Sequence, residues 1–264
     1  ILASDVSAIV EHTRQVIYLQ DGDVARITPD GVQIRTLDNV PVDRAVSSVE
    51  WDVGAAEKGG YEHFMLKEIY EQPTALANAT RGRLDLTLGT AILAGLNLSP
   101  RELAAIRRLV IVACGTSLHA GMVGKYLFES LADLPTEADQ AAEFRYCNPI
   151  LQPDDWVVAI SQSGETADTL AAVREAVQKG ALVSALCNVV GSTIAREAGR
   201  GVYLHAGPEI GVASTKAFTA QVTVLLMMAL KLGRCRRLSR EDGLVLCDEI
   251  RRIPEMVGAV LKQD

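Results

Sequence analysis

The sequence has little positive charge for its length. It contains 26 lysines and arginines against 33 aspartates and glutamates in 264 residues, so its formal net charge is −7. An acidic balance argues against a nucleic-acid surface, which needs clustered positive charge. The one dense basic cluster lies within residues 234–240, and Glu241 and Asp242 follow it at once. We interpret this cluster as a solvated helix face and expect no nucleic-acid partner.

The usual motifs of nucleotide, hydrolase and metal sites are missing. No strand pattern is followed by Gly-x-Gly-x-x-Gly, and no Walker loop ends in Gly-Lys-Ser/Thr, so nucleotide binding loses its main support. The serine-hydrolase elbow needs glycine two residues before the serine, and Ser161 holds that place relative to Ser163. The four histidines form no metal-ligand pattern. The sequence therefore implies no cofactor and no metal, and a serine hydrolase ranks low.

Cysteine is scarce, and long apolar runs are absent. The five cysteines are odd in number and widely spaced, so we expect reduced thiols in a cytoplasmic protein. The most apolar helical stretch, residues 222–230, is far shorter than the ~20 residues that a membrane span requires, and we expect no membrane partner. This stretch is apolar almost all round, so it is either wholly buried or partly covered by another subunit. Since the first residue is Ile1 rather than Met, we expect a piece of a longer protein.

Residues 1–50 have the pattern of short strands. Asp21-Gly22 and Pro29-Asp30-Gly31 each lie between two short apolar runs, which predicts two hairpins. Four or five short strands without a helix cannot easily close a core alone. We therefore expect the end of a sheet domain here, with a boundary near Gly59-Gly60.

Beyond Gly60 the pattern changes to helices and then to alternating strands and helices. Residues 61–93 are mostly helical in pattern, with a new helix expected to begin at Pro73. From residue 107 the alternation predicts parallel pairing through crossovers and an α/β fold. The predicted strands lie near residues 108–113, 136–141, 155–160, 181–187 and 201–205. The predicted helices lie near residues 117–132, 166–179, 192–198, 214–232 and 239–262.

Hydroxyl-rich turns follow two of the predicted strands. Residues 161–166, Ser-Gln-Ser-Gly-Glu-Thr, follow one apolar run, and residues 114–117, Cys-Gly-Thr-Ser, follow another. An open parallel sheet binds ligands outside the carboxyl ends of its strands, and a helix start adds free N–H groups that favour an anion. The turn at 161–166 has no lysine or arginine, so neutral donors would hold a phosphate there. Helix capping explains one of these hydroxyls but not the whole set.

A third loop, residues 209–216, enters the most apolar helix. Gly211 permits a close backbone approach, and Ser214 either caps the helix or contacts a ligand. Lys216 is the nearest cation, although a lysine in a first helical turn is more often a surface residue. Cys114 would need a base such as His119 to act as a nucleophile, and an inert thiol is the more common state.

Together, these motifs resemble the glutamine:fructose-6-phosphate aminotransferases, also called glucosamine-6-phosphate synthases. The matching segments are residues 114–117, 143–146, 161–170, 187–192 and 209–218. Residues 3–8 and Asp21-Gly22 are similar to the end of that family's glutaminase domain. The resemblance implies an α/β protein in which residues 1–60 are a short β remnant of that domain with a linker. It implies that residues 61–264 are the first lobe of the sugar-isomerase (SIS) type, a three-layer αβα domain with a five-stranded parallel sheet.

The resemblance also implies which residues contact the ligand. It assigns the sugar phosphate to Ser117, Ser161, Gln162, Ser163 and Thr166. It assigns the rest of the sugar to Cys114, Gly115, Thr116, Val212 and Ser214. The family's glutaminase nucleophile is an N-terminal cysteine, and no cysteine precedes Cys114 here. Its isomerase residues belong to a second lobe with no matching positions, so we assign no catalytic residue in this chain.

By this resemblance, the parent enzyme uses glutamine and fructose 6-phosphate to make glucosamine 6-phosphate. We expect the chain to bind a hexose phosphate (fructose 6-phosphate or glucosamine 6-phosphate) without catalysis of its own. We also expect a homodimer, because a neighbouring subunit completes the family's sugar site. The alternative is a regulator that senses sugar phosphates through the same SIS lobe. Such a protein should carry a basic helix-turn-helix in front, and the hairpin signals and acidic charge disfavour it.

Overall fold

The computed structural model describes residues 1–3, 9, 12–48 and 58–263. These residues belong to two compact units, Ile1–Gly60 and Tyr61–Asp264. Residues 4–8, which carry part of the upstream resemblance, lie outside the described residues.

The first unit contains short strands. They are β1 (Gln15–Ile17), β2 (Asp23–Thr28), β3 (Gly31–Thr36) and β4 (Val46–Ser48). β2 and β3 pair antiparallel around Pro29-Asp30-Gly31, which confirms one predicted hairpin. The hairpin predicted at Asp21-Gly22 is wrong, because β1 pairs with β4 rather than with β2. An ion pair of 2.8 Å between Asp23 and Arg44 links β2 to the segment that leads into β4. The Asp21-Gly22 turn therefore connects β1 to β2 without pairing the two strands.

The second unit begins with a long helix, α1 (Phe64–Thr80). Pro73 lies inside α1, so the helix break predicted there is wrong. Proline cannot donate to the carbonyl four residues before it, which here belongs to Ile69. That carbonyl instead accepts a hydrogen bond of 3.0 Å from Nε2 of Gln72. The helix continues because a side chain satisfies the acceptor that Pro73 leaves free.

Short elements connect α1 to the main sheet. β5 (Leu84–Asp85) pairs antiparallel with β6 (Thr90–Ala91), and a 3-10 turn at Ala94–Leu96 precedes α2 (Pro100–Ala105). The helical pattern predicted through residue 93 therefore ends at Thr80. Gly82 explains this end, because its φ of +69° lies in the left-handed region that favours glycine and terminates helices.

The main sheet has five strands, all pairing in parallel. They are β7 (Arg108–Ala113), β8 (Thr136–Gln140), β9 (Asp155–Ser161), β10 (Leu182–Cys187) and β11 (Gly201–Tyr203). Their order across the sheet is β11-β10-β9-β7-β8, so β9 is central and buried along its whole length. The edge strand β8 is different, since it exposes the carboxylates of Glu137 and Asp139.

Helices cover both faces of this sheet. They are α3 (Gly115–Ala132), α4 (Ala141–Tyr146), α5 (Ala167–Gln178), α6 (Thr193–Ala198), α7 (Lys216–Arg234) and α8 (Arg240–Val260). Alternate residues of each strand point to opposite faces. Ile111 and Val158 therefore pack in one core with α1, α3, α7 and α8, while Val110 and Val157 pack in the other with α4, α5 and α6. The predicted three-layer αβα fold with a five-stranded parallel sheet is confirmed.

Two short helices, α2 and α4, were not predicted, because six residues are too short to show a helical period. By length and composition alone, α7 could cross a membrane, since an 18-residue window within it has a mean hydropathy of 1.2. However, 72% of that window is buried inside the fold. Of the two alternatives for residues 222–230, the structure therefore favours burial within this chain, as in a core helix.

Candidate functional site

The two hydroxyl-rich turns emerge from neighbouring parallel strands. Ala113, the last residue of β7, is in register with Ile160 of β9, and each turn follows directly. The first turn also contacts the helix that follows the second turn, since Oγ1 of Thr169 in α5 donates to Sγ of Cys114 at 3.7 Å. The structure thus brings the two predicted turns together at the carboxyl edge of the sheet, where an open parallel sheet binds its ligands.

The turn after β9 folds around the hydroxyl of Ser161, which is 2% exposed. Its Oγ accepts a hydrogen bond from Gly164 N at 3.0 Å and lies 3.1 Å from Oγ1 of Thr166. Oγ of Ser163 accepts from Glu165 N at 3.2 Å. Thr166 is the N-cap residue of α5, yet its side chain makes no capping hydrogen bond. Capping therefore does not account for the hydroxyl of Thr166.

Gly164 is required where the turn meets the segment before α6. Its φ is +70°, and a Cβ there would lie 2.0 Å from Oγ of Ser192. Two further hydrogen bonds fix this approach: Ile194 N donates to Gly164 O at 2.9 Å, and Thr193 N donates to Oε1 of Glu165 at 2.8 Å. Gln162 is half-buried, and its backbone carbonyl oxygen accepts a hydrogen bond of 3.2 Å from Asn188 N. The turn is therefore held from the β10 side as well as by its own hydroxyls.

The turn after β7 leads into α3. Cys114 is the N-cap residue of α3 without a side-chain cap, and Gly115 has a φ of +55°. Thr116 and Ser117 are both half-buried. Oγ of Ser117 accepts a hydrogen bond of 3.0 Å from Nε2 of Gln221, a residue of α7 with no exposed surface. Sequence analysis missed Gln221, whose position in an apolar helix carries no signal of ligand binding.

Three of the four hydroxyls of Ser117, Ser161, Ser163 and Thr166 keep a hydrogen to donate. A serine oxygen can accept while its O–H donates elsewhere. Ser117, Ser161 and Ser163 each accept from a protein N–H, and Ser161 shares one further bond with Thr166. Of the four hydroxyls, one O–H is used within the Ser161–Thr166 pair, and three are left to donate. A set of donors at one edge is suited to an anion with several oxygens.

The third loop is organised by Glu209. Its Oε1 accepts from Thr215 N at 2.9 Å and Ala217 N at 3.1 Å, so Glu209 caps the N-terminus of α7. Oγ of Ser214 donates to Oε2 of Glu209 at 2.8 Å. Ser214 therefore does not cap the helix, and its free lone pairs can accept a hydrogen bond. Val212 is fully exposed at the tip of the loop.

Two charged residues on α1 bind this loop and the start of α7. Glu68 is 2% exposed, and its Oε1 accepts from Ile210 N at 2.6 Å. Nζ of Lys216 lies 2.6 Å from Oε2 of Glu71 and is 3% exposed. The expectation of a surface lysine at 216 is therefore wrong, because an ion pair compensates its burial. Neither contact has a sequence signal, since the partners are more than 140 residues apart.

The cysteines of the site edge are not set up as nucleophiles. The described partner of the Cys114 thiol is Thr169, and His119 is exposed on α3. Cys187, the last residue of β10, is 1% exposed, and this burial raises the pKa of its thiol to about 12. All five cysteines are free.

A separate cavity of about 480 Å³ lies between the β5–β6 region and the ends of β10 and β11. It is lined by residues that include Arg83, Gly95, Cys187, Arg200 and Tyr203. None of the ten predicted ligand contacts lines it. The candidate site is therefore defined by its convergent donors and not by this cavity.

Comparison with known proteins agrees with this architecture. The SIS domain family matches residues 102–231, which include both hydroxyl-rich turns. The chain is 50% identical over 263 residues to the glutamine–fructose-6-phosphate aminotransferase (isomerizing) of Chlorobaculum tepidum. The matched region covers 100% of this chain and 43% of that protein. The chain therefore contains a SIS domain and is similar over its whole length to this aminotransferase.

Solved structures show the same relationship. The C-terminal domain of glucosamine–fructose-6-phosphate aminotransferase from Francisella tularensis superimposes with a TM-score of 0.73 at 38% identity, over 78% of this chain and 57% of that one. A glucosamine-6-phosphate deaminase from Thermotoga maritima shares the fold, with a TM-score of 0.56 at 20% identity over 73% of this chain and 54% of that one. The chain spans 43% of the length of the curated relative from Chlorobaculum tepidum. The SIS domain lies entirely within the second unit.

Proposed function

We propose that this chain is the sugar-phosphate-binding part of a glutamine–fructose-6-phosphate aminotransferase (isomerizing). That enzyme makes glucosamine 6-phosphate from fructose 6-phosphate and glutamine. The observation that carries the proposal is the set of hydroxyls of Ser117, Ser161, Ser163 and Thr166, of which three keep an O–H that a ligand can accept. The names of the relatives supply the reaction to which this site would contribute.

The phosphate would be held without a cationic side chain in the turn. Hydrogen bonds to a charged partner contribute about 1.5–3 kcal/mol each, so several serine donors suffice for binding. The first turns of α3 and α5 add backbone N–H groups and the positive ends of two helix dipoles. Neutral donors also suit an ester that must leave again, because they hold it less tightly than a buried arginine would.

The rest of the sugar would lie between the turn after β7 and the third loop. We assign Cys114, Gly115 and Thr116 to one side of the sugar, and Val212 and Ser214 to the other. Ser214 would accept from a sugar hydroxyl, because its own hydrogen is committed to Glu209. The exposed side chain of Val212 would pack against the carbon skeleton and lose its contact with water.

We propose binding without catalysis for the chain itself. Glu68, Glu71 and Glu209 all have protein partners, so none is presented as an acid or base toward the two turns. We further propose that residues 1–60 are the end of a glutaminase domain with its linker, and that residues 61–264 are the first SIS lobe with flanking helices. Association into a homodimer and a cytoplasmic location complete the proposal. It includes no metal, cofactor or membrane.

The regulator alternative finds no support in the described residues of the first unit. β1 to β4 occupy residues 15–48, where a DNA-binding protein of this kind would need a basic helix-turn-helix. A DNA titration at low salt separates the two functions, since counterion release makes any such binding strongest there. We expect no binding.

The proposed function is tested by calorimetry of the chain with fructose 6-phosphate, with fructose as the ligand that lacks a phosphate. We expect binding of the phosphate ester only, and a loss of about tenfold in affinity for Ser163→Ala, which removes one charge-assisted hydrogen bond. Ser130→Ala is the matched control, because Ser130 is exposed near the far end of α3 and bonds a helix carbonyl. An affinity that is the same for Ser163→Ala and wild type would refute the proposed site.

A further inference from the structure

The geometry points to Glu68 as a positioning residue for the sugar loop, which we define as residues 209–215. This inference rests on the proposed function, because it assumes that Val212 and Ser214 contact the sugar. Glu68 does not contact the ligand itself. It acts through the backbone of the loop. Glu68 lies on α1, a helix that carries neither of the two hydroxyl-rich turns.

Glu68 binds the middle of the sugar loop through two consecutive N–H groups. Its Oε1 accepts from Ile210 N at 2.6 Å and from Gly211 N at 3.1 Å. Its Oε2 lies 3.2 Å from Gly211 N. The next residue is Val212, which the proposed function places against the sugar. Glu68 therefore fixes the backbone one residue before the contact.

The burial of Glu68 makes its hydrogen bonds to the sugar loop energetically important. Glu68 is 2% exposed, and a carboxylate removed from water is destabilising unless hydrogen-bond donors replace the lost solvent. The described donors to Glu68 are the two amides of the sugar loop. If the loop moved away, the carboxylate would remain buried without those donors. The conformation of the loop and the burial of Glu68 are thus energetically coupled.

Gly211 has the close approach that this arrangement requires. A Cβ at position 211 would lie 2.6 Å from Oε2 of Glu68. The loop backbone can reach the carboxylate because there is no side chain at this position. The φ of Gly211 is not in the left-handed region, so the requirement for glycine comes from the close contact with Glu68.

The ends of the sugar loop are held by other groups. Glu209 binds Ser214 and Thr215 at the start of α7. One turn after Glu68 on α1, Glu71 pairs with Lys216, the first residue of α7. These contacts fix where the loop begins and ends, whereas Glu68 acts on residues 210 and 211. Helix α1 would preorganise the loop and reduce the ordering entropy that ligand binding must otherwise overcome.

The test compares two ligands on the 264-residue chain. Inorganic phosphate probes the serine turns alone, and fructose 6-phosphate probes the turns and the sugar loop together. Glu68→Gln keeps the size of the side chain but replaces one acceptor oxygen with an NH2 group. We expect the Kd for fructose 6-phosphate to rise about tenfold and the Kd for phosphate to stay within about twofold. Glu255→Gln, at an exposed position of α8, is the matched control and should change neither.

Gly211→Ala approaches the same contact from the other side. Its new methyl group would push the loop away from Oε2 of Glu68, so it should reproduce the ligand-selective loss. This variant tests the inference if Glu68→Gln does not fold. An unchanged Kd for fructose 6-phosphate in both variants, or an equal loss for both ligands, would overturn it. Equal losses would mean that Glu68 supports the fold or the serine turns instead.

Hydrogen exchange gives a second readout that needs no ligand. The amides of Ile210 and Gly211 should exchange at least about tenfold faster in Glu68→Gln, with the amides of the central sheet unchanged. If the wild-type chain fails to bind fructose 6-phosphate, the proposed function fails. Faster exchange would then still establish Glu68 as the anchor of the loop, and unchanged exchange would overturn the inference independently.

Discussion

Nε2 of Gln221, on α7, donates a hydrogen bond of 3.0 Å to Oγ of Ser117, on α3. The two residues are 104 positions apart in the sequence, and Gln221 has no exposed surface. Because the serine oxygen already accepts from Gln221, its hydrogen is directed elsewhere. Helix α7 therefore does more than fill the core, since it orients a donor of the proposed phosphate site.

Reversing the polarity of this contact should weaken phosphate binding. In Gln221→Glu, the carboxylate would accept the hydrogen of Ser117 and would also repel a phosphate dianion. We expect the Kd for fructose 6-phosphate to rise more than about tenfold, and by a smaller factor in Gln221→Leu, which removes the donor without adding charge. Calorimetry on samples checked for native circular dichroism provides the measurement.

Gln178→Glu is the control for Gln221→Glu. It adds the same charge at an exposed position, at the end of α5, and should leave the Kd unchanged. If Gln221→Leu and Gln221→Glu bound as tightly as wild type, Gln221 would be a packing residue only.

Gly164 and Gly180 have similar backbone angles, so a comparison of them separates the effect of steric crowding from the effect of a left-handed backbone. Gly164 has a φ of +70° and Gly180 a φ of +78°, but only at Gly164 would a Cβ meet another group, Oγ of Ser192 at 2.0 Å. We expect Gly180→Ala to reduce the free energy of unfolding by about 1 kcal/mol, from the left-handed backbone alone. Gly164→Ala should reduce it by at least about 2 kcal/mol more, because the turn must also move. Urea denaturation of both variants tests this, and equal losses would contradict the crowding at Gly164.

The proline inside α1 predicts a coupling between neighbours. Gln72→Ala removes the donor to the Ile69 carbonyl and should reduce the free energy of unfolding by about 1 kcal/mol in wild type. In a Pro73→Ala background the same change should have a smaller effect, because residue 73 then donates to that carbonyl itself. A double-mutant cycle measured by urea denaturation gives the coupling. Strict additivity would show that Gln72 does not substitute for the missing N–H.

The buried thiol of Cys187 should make stability fall at alkaline pH. Its pKa is raised from 9.0 to about 12, mainly by burial, so the folded state keeps the proton that the unfolded state loses. Stability from this group is therefore complete below pH 9.0 and decreases as the pH rises toward about 12. Cys187→Ala should flatten the decrease in unfolding free energy over that range. A slope identical to that of wild type would mean that Cys187 is not the titrating group.

Thiol reactivity provides an independent check on the same residue. At pH 8 a thiol of such high pKa is roughly one part in ten thousand thiolate. Iodoacetamide should therefore modify the exposed Cys147 in the native chain and Cys187 only after denaturation, as read by mass spectrometry. Rapid native labelling of Cys187 would indicate that the end of β10 opens.

The central strands of the sheet were predictable because they are buried on both faces. Every residue of β9 is buried, and its residues 156–160 form an uninterrupted apolar run in the sequence. A hydroxyl-rich turn after such a run lies at the carboxyl edge whatever the details of packing. The contact between Thr169 and Cys114 agrees with this argument. The sequence of the turn at residues 161–166 did not reveal which of its oxygens accept hydrogen bonds and which donate them.

Contacts between charged groups far apart in the sequence were not predictable. Lys216 was expected on the surface and Glu68 was not singled out, and both are buried because partners from another element compensate them. The pairing of β1 with β4 also escaped prediction, since short exposed strands carry little register information. Both cases depend on which elements meet, and local pattern does not specify that.

The acidic strand β8 limits how this protein can associate with copies of itself. In the described part of the chain β8 pairs only with β7, and the exposed side chains of Glu137 and Asp139 lie on one face of this edge strand. A strand from a second copy docking there would face negative charge along the shared border. Growth of the sheet into a continuous intermolecular ribbon is thereby resisted by electrostatic repulsion.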